Sequence, residues 1–308
     1  MNSSLSDRPR QYLLGISLII AAALTISIQD LVFKLFSGDL TLWQIFTLRG
    51  LFALPMLLVI GWMRGSRSRT LLNAFDTWIL LRSVFITTTF LAFYAAIPFL
   101  SLSTVGAANY IAPIFVALLS AYVIQEPVGF LGWLAVGVGF LGVILLLQPG
   151  TEAFSAWTLL PLIGAGFYAL AHITTRVKCQ DAPLAALSLA QNLMMFLSGA
   201  VISIVLYLAK PEGGTFDDYP YLFDTWTHVE TRDWLVIFVL AGFAVVLGMM
   251  LAGAYQAAPP AVISTFEYSY LVFVVAWDII FFDTIPTALS VAGMIFIVTA
   301  GLLVLKRH

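Results

Sequence analysis

Charged side chains are scarce in this chain. Only 10% of its 308 residues are Asp, Glu, Lys or Arg, whereas an ordinary soluble domain carries about 25%. Hydrophobic residues make up 61% of the chain, and its mean hydropathy is +1.00. This composition excludes a water-soluble fold and is typical of a protein built from membrane-spanning helices.

Basic clusters, cysteines and catalytic motifs are also missing. Fourteen basic and sixteen acidic residues give a net charge of -2 with no basic block, so we expect no nucleic-acid partner. A single cysteine, Cys179, excludes an intramolecular disulfide and every multi-cysteine metal site. The three histidines are scattered, and no Walker loop, HExxH or GxSxG motif occurs. We therefore expect no enzyme activity, no metal and no cofactor.

Apolar runs long enough to cross a ~30 Å hydrocarbon layer recur along the chain. They predict an all-α integral membrane protein with ten transmembrane helices, joined mostly by short loops. The first run contains Asp30 and Lys34 and is too long for a signal-peptide core, so we interpret it as a retained span. The predicted spans are approximately 12–36, 41–63, 76–98, 102–124, 128–147, 156–178, 183–209, 234–255, 260–282 and 285–305.

Lys and Arg indicate the orientation, because they accumulate in loops that stay in the cytoplasm. With the N-terminus inside, the inner segments hold nine of them, whereas the outer loops hold only Lys210 and Arg232. Both termini are therefore predicted to be cytoplasmic. The longest loop, residues 210–233, is acidic and extracytoplasmic in this topology. We interpret it as a solvated surface segment rather than a lid.

The two halves of the chain echo each other. The segment that closes the third span, residues 94–98, resembles the one that closes the eighth, residues 255–259. Asp30 and Lys34 lie one turn apart in the first span, as His172 and Arg176 do in the sixth. Five spans per half is an odd number, so residues 12–147 and 156–305 are predicted to form two inverted five-helix repeats. Two inverted halves that exchange conformations can open one midplane site to either side in turn.

Several segments of the sequence resemble those of a known protein family. Leu91-Ala-Phe-Tyr-Ala-Ala-Ile-Pro through Pro113 to Gln125-Glu126-Pro is similar to the first half of an EamA-type protein of the drug/metabolite transporter superfamily. Ala254-Tyr-Gln-Ala-Ala-Pro-Pro-Ala through Phe266-Glu-Tyr268 to Asp283 is similar to the second half. The opening Ile28-Gln-Asp-Leu-Val-Phe-Lys34 resembles the branch with S-adenosylmethionine, riboflavin and amino-acid-derivative carriers. The resemblance implies a ten-helix fold, a central cavity lined by both halves and transport without ATP.

Two departures limit what the resemblance implies about the substrate. Asp283 stands where the family usually has Glu, and the loop 210–233 is longer than usual.

Ionisable residues inside the spans are costly, so each should face a partner or a wet cavity. Their depths, at about 1.5 Å per residue, separate them into two layers. Two charged layers around an apolar midplane are typical of gates on either side of a binding cavity. The alternative is that these residues form static ion pairs that fix the helix register. For the outer layer we favour the static ion pairs. The outer layer consists of Asp30, Lys34, Arg49 and Asp278, and the inner layer of Arg82, His172 and Glu267.

Glu267 is the preferred functional residue. Ser264, Glu267, Leu271, Val274 and Asp278 follow a spacing of three and four, so they share one helix face. A carboxylate there can carry a proton or bind a cationic group, and pairing with Arg82 is the structural alternative. Aromatic and amide residues complete the predicted substrate-binding or coupling set: Glu267, His172, Arg82, Tyr94, Asn109, Tyr110, Tyr168 and Tyr268. Tyr255 is a further pocket candidate, although a tyrosine near a span end is often an interfacial anchor.

These patterns together predict a secondary transporter of a small polar or amphiphilic metabolite in a bacterial inner (cytoplasmic) membrane. The mixed charges favour an amino-acid derivative or a cofactor-like compound over a sugar. The predicted partners are the transported metabolite and the surrounding membrane lipid. Coupling of transport to H+, the formation of a homodimer and the direction of transport stay open. A non-transporting scaffold or receptor, and a lipid scramblase or flippase, are the alternatives.

Overall fold

The computed structural model describes residues 7–36, 40–63, 67–96, 110–147, 157, 159–210, 213–214, 219–282 and 288–305. Within these ranges the chain is helical and contains no β-strand. The helices are α1 Asp7–Phe36, α2 Leu42–Met63, α3 Arg67–Ala74, α4 Thr77–Ala96, α5 Ala112–Tyr122, α6 Phe130–Leu147, α7 Leu159–Lys178, α8 Leu184–Ala209, α9 Pro220–Phe223, α10 Thr231–Ala257, α11 Pro260–Glu267, α12 Ser269–Phe282 and α13 Ala288–Leu305.

Six helical stretches are long and apolar enough to cross a membrane. They are residues 10–32, 42–63, 77–96, 184–209, 231–257 and 260–281. Three further apolar helices are shorter within the described ranges, at residues 112–122, 130–145 and 291–303. These helices confirm a multi-pass membrane protein, whereas the count of ten spans and the cytoplasmic termini stay predictions.

Prolines and one left-handed residue set several helix ends. Pro113 and Pro260 occupy the first turns of α5 and α11, where a missing N–H is harmless. Pro259 precedes α11 in an extended conformation, so the chain turns between α10 and α11. Lys210 ends α8 at φ 41° and donates its N–H to the carbonyl of Leu206. This turn between α10 and α11 brings the last residues of α10 close to the end of α11.

Two features differ from the helices expected from the sequence. The helix α3 lies in a segment expected to be a loop, and the four-residue α9 lies within the acidic loop. The expected span 260–282, by contrast, corresponds to the helical stretch 260–281. Tyr268, between α11 and α12, keeps a right-handed helical backbone with φ -59° and ψ -19°.

The chain divides into two compact units, each of which combines segments from both predicted repeats. Unit 1 contains Met1–Ser27, Thr88–Asp181 and Met250–His308, and unit 2 contains Ile28–Thr87 and Ala182–Met249. In unit 2, α8 packs along α2, and a Cβ on Gly199 would lie 2.9 Å from the carbonyl oxygen of Trp43. Only glycine at position 199 therefore permits this approach of the two backbones.

In unit 1, α13 packs along α6 in the same way. A Cβ on Gly142 would lie 2.7 Å from the carbonyl oxygen of Gly293. The helix α11 packs against α5, α6, α7 and α13 and is buried along most of its length. Unit 1 therefore holds the end of α11, and with it Glu267, among several packed helices.

Candidate functional site

Glu267 is the last residue of α11, and two tyrosine hydroxyls donate to it. Tyr168 on α7 and Tyr255 on α10 each donate a hydrogen bond of 2.7 Å to Glu267 Oε1. Three helices of unit 1 thus converge on one carboxylate oxygen. The turn at Pro259-Pro260 makes this possible, because it brings Tyr255 close to a residue twelve positions later.

His172 lies between the two tyrosines that hold Glu267. Its ring centroid is 3.9 Å from that of Tyr255 with the planes 24° apart, and 4.2 Å from that of Tyr168. Tyr168 and His172 are four residues apart on α7 and therefore share its inner face. The stacked rings fix the orientation of both phenols, and this fixes the direction of the two bonds to Glu267.

Burial differs among the members of the cluster. Tyr255, His172 and Tyr268 are each 0% exposed, whereas Glu267 and Tyr168 are half-buried. Glu267 differs in this from the buried residues that precede it on α11. Glu267 and Tyr168 are therefore the members of the cluster that keep exposed surface.

No positive side chain in the described part of unit 1 pairs with Glu267. The ion pair found in that unit joins Arg176 to Glu126, and both hydrogen bonds to Glu267 come from neutral hydroxyls. Both bonds also reach Oε1, so Oε2 keeps its lone pairs for another group. An acidic group inside a membrane protein without a positive partner is a functional-site candidate, because placing it there is costly.

Further aromatic residues lie beside Glu267. Tyr268 packs against Val143, Leu271 and Ile297, and the Oη of Tyr268 is buried without a hydrogen-bond partner in the described ranges. The ring of Tyr110 lies 6.3 Å from that of Tyr268 and 6.0 Å from that of Tyr270. Gly139 leaves room for Tyr268, since a Cβ there would lie 2.6 Å from its ring.

A second polar network joins the ends of α5, α7 and α10 in unit 1. Arg176 Nε donates to Glu126 Oε1 at 3.0 Å, and its Nη1 donates to the carbonyl of Gln256 at 2.9 Å. Gln256 Nε2 in turn donates to the carbonyl of Cys179. We name these four residues the Arg176 network. It fixes the ends of three helices at the side predicted to be cytoplasmic.

Arg82 lies in unit 2, with partners there. It is 0% exposed, and its Nη1 donates to Gln191 Oε1 at 2.8 Å and to the carbonyl of Leu187 at 3.4 Å. The structure thus gives Arg82 two oxygen partners on α8 in its own unit. The expected pairing of Arg82 with Glu267 stays a prediction.

The expected outer layer is described in part. Arg49 contacts the sulfur of Met195 at 3.3 Å and lies 5.4 Å over the ring of Phe46. Asp30 is half-buried in the same unit. The side chains of Lys34 and Asp278 lie outside the described part of the structure, although α1 and α12 include their backbones. The ion pairs of this layer stay predictions.

Two other expected pocket residues have different outcomes. Tyr94, in unit 1, stacks on Phe90 at 6.2 Å and meets the edge of Phe93 at 5.6 Å. Asn109 lies outside the described residues. Tyr94 thus lies in an aromatic cluster of α4, and a role for either residue in binding stays a prediction.

Sequence reasoning left Tyr255 uncertain and overlooked Gln191. Tyr255 is no interfacial anchor, because it is buried and donates to Glu267. Gln191 is an uncharged polar residue inside the apolar span α8, and a count limited to ionisable residues passes over it. Gln191 would be found by a search for every hydrogen-bonding side chain inside the spans, charged or not, because buried polar groups need partners.

Comparisons with known proteins agree with this architecture. Residues 13–148 match the EamA-like transporter family. An uncharacterized transporter of Helicobacter pylori is 30% identical over 216 residues, which cover 70% of this chain and 68% of that protein. The S-adenosylmethionine uptake transporter of Rickettsia prowazekii is 20% identical over 305 residues, or 98% of this chain and 95% of its own. The pseudopaline exporter CntI of Pseudomonas aeruginosa is 21% identical over 288 residues, or 93% and 94%.

A solved crystal structure has the same fold. It superposes with a TM-score of 0.76 at 13% sequence identity and covers 96% of both chains. At this identity the likeness concerns the fold alone. The shared fold extends along nearly the whole chain.

Proposed function

We propose a function from one premise: this chain belongs to the EamA-like transporter family. It is accordingly a membrane protein that transports small molecules. The proposal is that it is a secondary transporter, which moves an amino-acid derivative or a cofactor-like metabolite across a bacterial inner membrane by alternating access. Glu267, held by Tyr168 and Tyr255, is the centre of its binding site.

The observation that carries the proposal is the half-buried carboxylate of Glu267 at the end of α11. Ionisable residues inside a membrane protein commonly mark substrate or ion pathways. Two phenols hold Glu267 in one orientation without neutralising it. A structural carboxylate would instead be expected to have a positive partner.

The pairing of helices within the units supports alternating access. The second span packs on the seventh in unit 2, and the fifth packs on the tenth in unit 1. Each of these pairs joins corresponding helices of the two predicted repeats. An exchange of conformation between the halves would open the Glu267 site to one side and then the other.

The Arg176 network is the proposed closure at the cytoplasmic end. Its ion pair is partly exposed, with side chains 18% and 31% accessible, so it can separate and re-form at little cost. Opening toward the cytoplasm would move the ends of α5 and α7 apart. The network would therefore break once in each transport cycle.

The relatives leave the direction of transport open. One of them is named an uptake transporter and another an exporter, and both align with nearly all of this chain. Coupling to H+ and a homodimer are likewise left to experiment. We propose the same class of metabolite for both directions, because the binding site is shared by the inward-open and outward-open states.

The test is exchange of a mixed metabolite extract by purified full-length protein in proteoliposomes, read by mass spectrometry against protein-free vesicles. The expected result is selective accumulation of a few polar compounds. If the folded protein shows no selective flux of metabolites, either with or without a pH gradient, the result would support the alternative of a non-transporting scaffold. Movement of fluorescent phospholipid between leaflets without metabolite exchange would instead support the scramblase.

A further inference from the structure

We infer that Glu267 and the half-buried ring of Tyr168 beside it bind a positively charged group of the transported metabolite, an ammonium or a sulfonium. This inference rests on the proposed function and adds to it the charge of the cargo. It concerns unit 1 alone, where Tyr168, His172, Tyr255 and Glu267 meet. The contacts of the cluster supply three independent reasons.

The first reason is the charge of the cluster. No ion pair involves Glu267 in the described part of unit 1. Its two partners are neutral hydroxyl groups, which orient a negative charge without cancelling it. A ligand that brings one positive charge completes the site, whereas a negatively charged ligand would be repelled from it.

The second reason is the free oxygen of the carboxylate. Tyr168 and Tyr255 both donate to Oε1, and no described residue donates to Oε2. The side chain is half-buried, although Tyr255, Tyr268 and His172 beside it are fully buried. The accessible part of this cluster therefore includes an acceptor with unused lone pairs.

The third reason is the aromatic ring of Tyr168. This ring is half-buried beside Glu267, and the fully buried His172 and Tyr255 support it, with ring centroids about 4 Å apart along the series. Aromatic rings attract cations, and quaternary ammonium ligands are commonly recognised in this way. An ammonium or sulfonium also carries apolar groups, which the accessible part of Tyr168 can cover while the carboxylate takes the charge.

A proton alone would neutralise Glu267 without using the ring of Tyr168. That half-buried ring favours an organic cation, because a proton makes no contact with it. Matched pairs of probes that differ by one positive charge separate these two occupants. S-adenosylmethionine has one methyl group and one positive charge more than S-adenosylhomocysteine. Choline and 3,3-dimethylbutan-1-ol form a second pair, in which a neutral carbon replaces the positively charged nitrogen.

The experiment measures how each probe inhibits exchange in the proteoliposome assay, and which compounds of the extract are exchanged. The expected result is that the charged member of a pair inhibits at least about tenfold more strongly, equivalent to about 1.4 kcal/mol. Exchanged compounds should carry a cationic nitrogen or sulfur. Glu267→Gln should remove the difference within the pair, and Glu267→Asp should keep it, since it keeps the charge.

The possible results separate the two levels of the proposal. Equal inhibition by both members of each pair, or exchange restricted to neutral and anionic compounds, would overturn the cationic cargo and leave a transporter. Glu267→Asp guards against misfolding of Glu267→Gln, because loss of the charge preference in folded Glu267→Asp would also overturn the inference. If folded wild-type protein exchanges nothing, the proposed function fails, and the inference fails with it.

Discussion

Tyr255→Phe should destabilise the protein, whereas Tyr268→Phe should not. Both tyrosines are 0% exposed in unit 1. The hydroxyl of Tyr255 donates to Glu267 at 2.7 Å, and that of Tyr268 is buried without a partner in the described part of the chain. The same atom is deleted in both variants, so the difference between them isolates the bond to the carboxylate.

The structure sets the size of the difference. Hydrogen bonds to charged groups contribute about 1.5–3 kcal/mol, but polar contacts measured inside a membrane protein average about 0.6 and reach about 1.7 kcal/mol. Tyr168 still donates to Oε1 in the variant, and the ring of residue 255 still stacks on His172. We therefore expect Tyr255→Phe to cost about 1–2 kcal/mol.

Tyr268→Phe should change the free energy of unfolding by less than about 0.5 kcal/mol or raise it. Removing a buried hydroxyl that has no partner also removes its desolvation penalty. The phenyl ring that remains keeps its packing against Leu271 and Ile297. This variant is the matched control for stability.

The assay is reversible unfolding in mixed micelles with increasing denaturing detergent, followed by circular dichroism. Equal costs for Tyr255→Phe and Tyr268→Phe would refute the assignment of a stabilising bond to Glu267. A larger cost for Tyr268→Phe would show that its hydroxyl has a partner.

Two further predictions concern packing and the cytoplasmic closure. Gly142→Ala should lower the free energy of unfolding by about 1–3 kcal/mol, because its Cβ would lie 2.7 Å from the backbone oxygen of Gly293. Gly137→Ala on the same helix is the control: its Cβ meets no atom within 4 Å, so it should be neutral or stabilising by up to about 1 kcal/mol. Equal losses in the same unfolding assay would contradict the packing of α6 on α13. Glu126→Gln should lower the free energy of unfolding by no more than about 1 kcal/mol but slow exchange in proteoliposomes. Reversing both charges of the Glu126–Arg176 pair should restore more exchange than either single reversal. No gain in the double variant would refute the pair as a closure.

The apolar runs were sufficient to predict most of the long helices. The spans 41–63 and 183–209 correspond to Leu42–Met63 and Leu184–Ala209, because hydrocarbon thickness and hydropathy set such lengths. The helix α3 was missed, since it is short and polar and carries no apolar signal.

The sequence could identify members of the site but not their partners. Spacing on α7 placed Tyr168 and His172 on one face, and the structure confirms that they are in contact. The convergence of Tyr168 and Tyr255 on one oxygen depends on how three helices pack, which no single periodicity contains. Arg82 could be predicted to need a partner, but only the packing of unit 2 identifies Gln191.

The most direct test of the central claim is exchange by three proteins in the same proteoliposomes: wild type, Glu267→Gln and Asp181→Asn. Asp181 is an exposed acid in the turn between α7 and α8, so it controls for loss of one negative charge. The account predicts selective metabolite exchange by wild type and Asp181→Asn, and at least about a tenfold slower rate for folded Glu267→Gln, equivalent to about 1.4 kcal/mol. Equal exchange by all three proteins would contradict the assignment of Glu267 as the centre of the transport site.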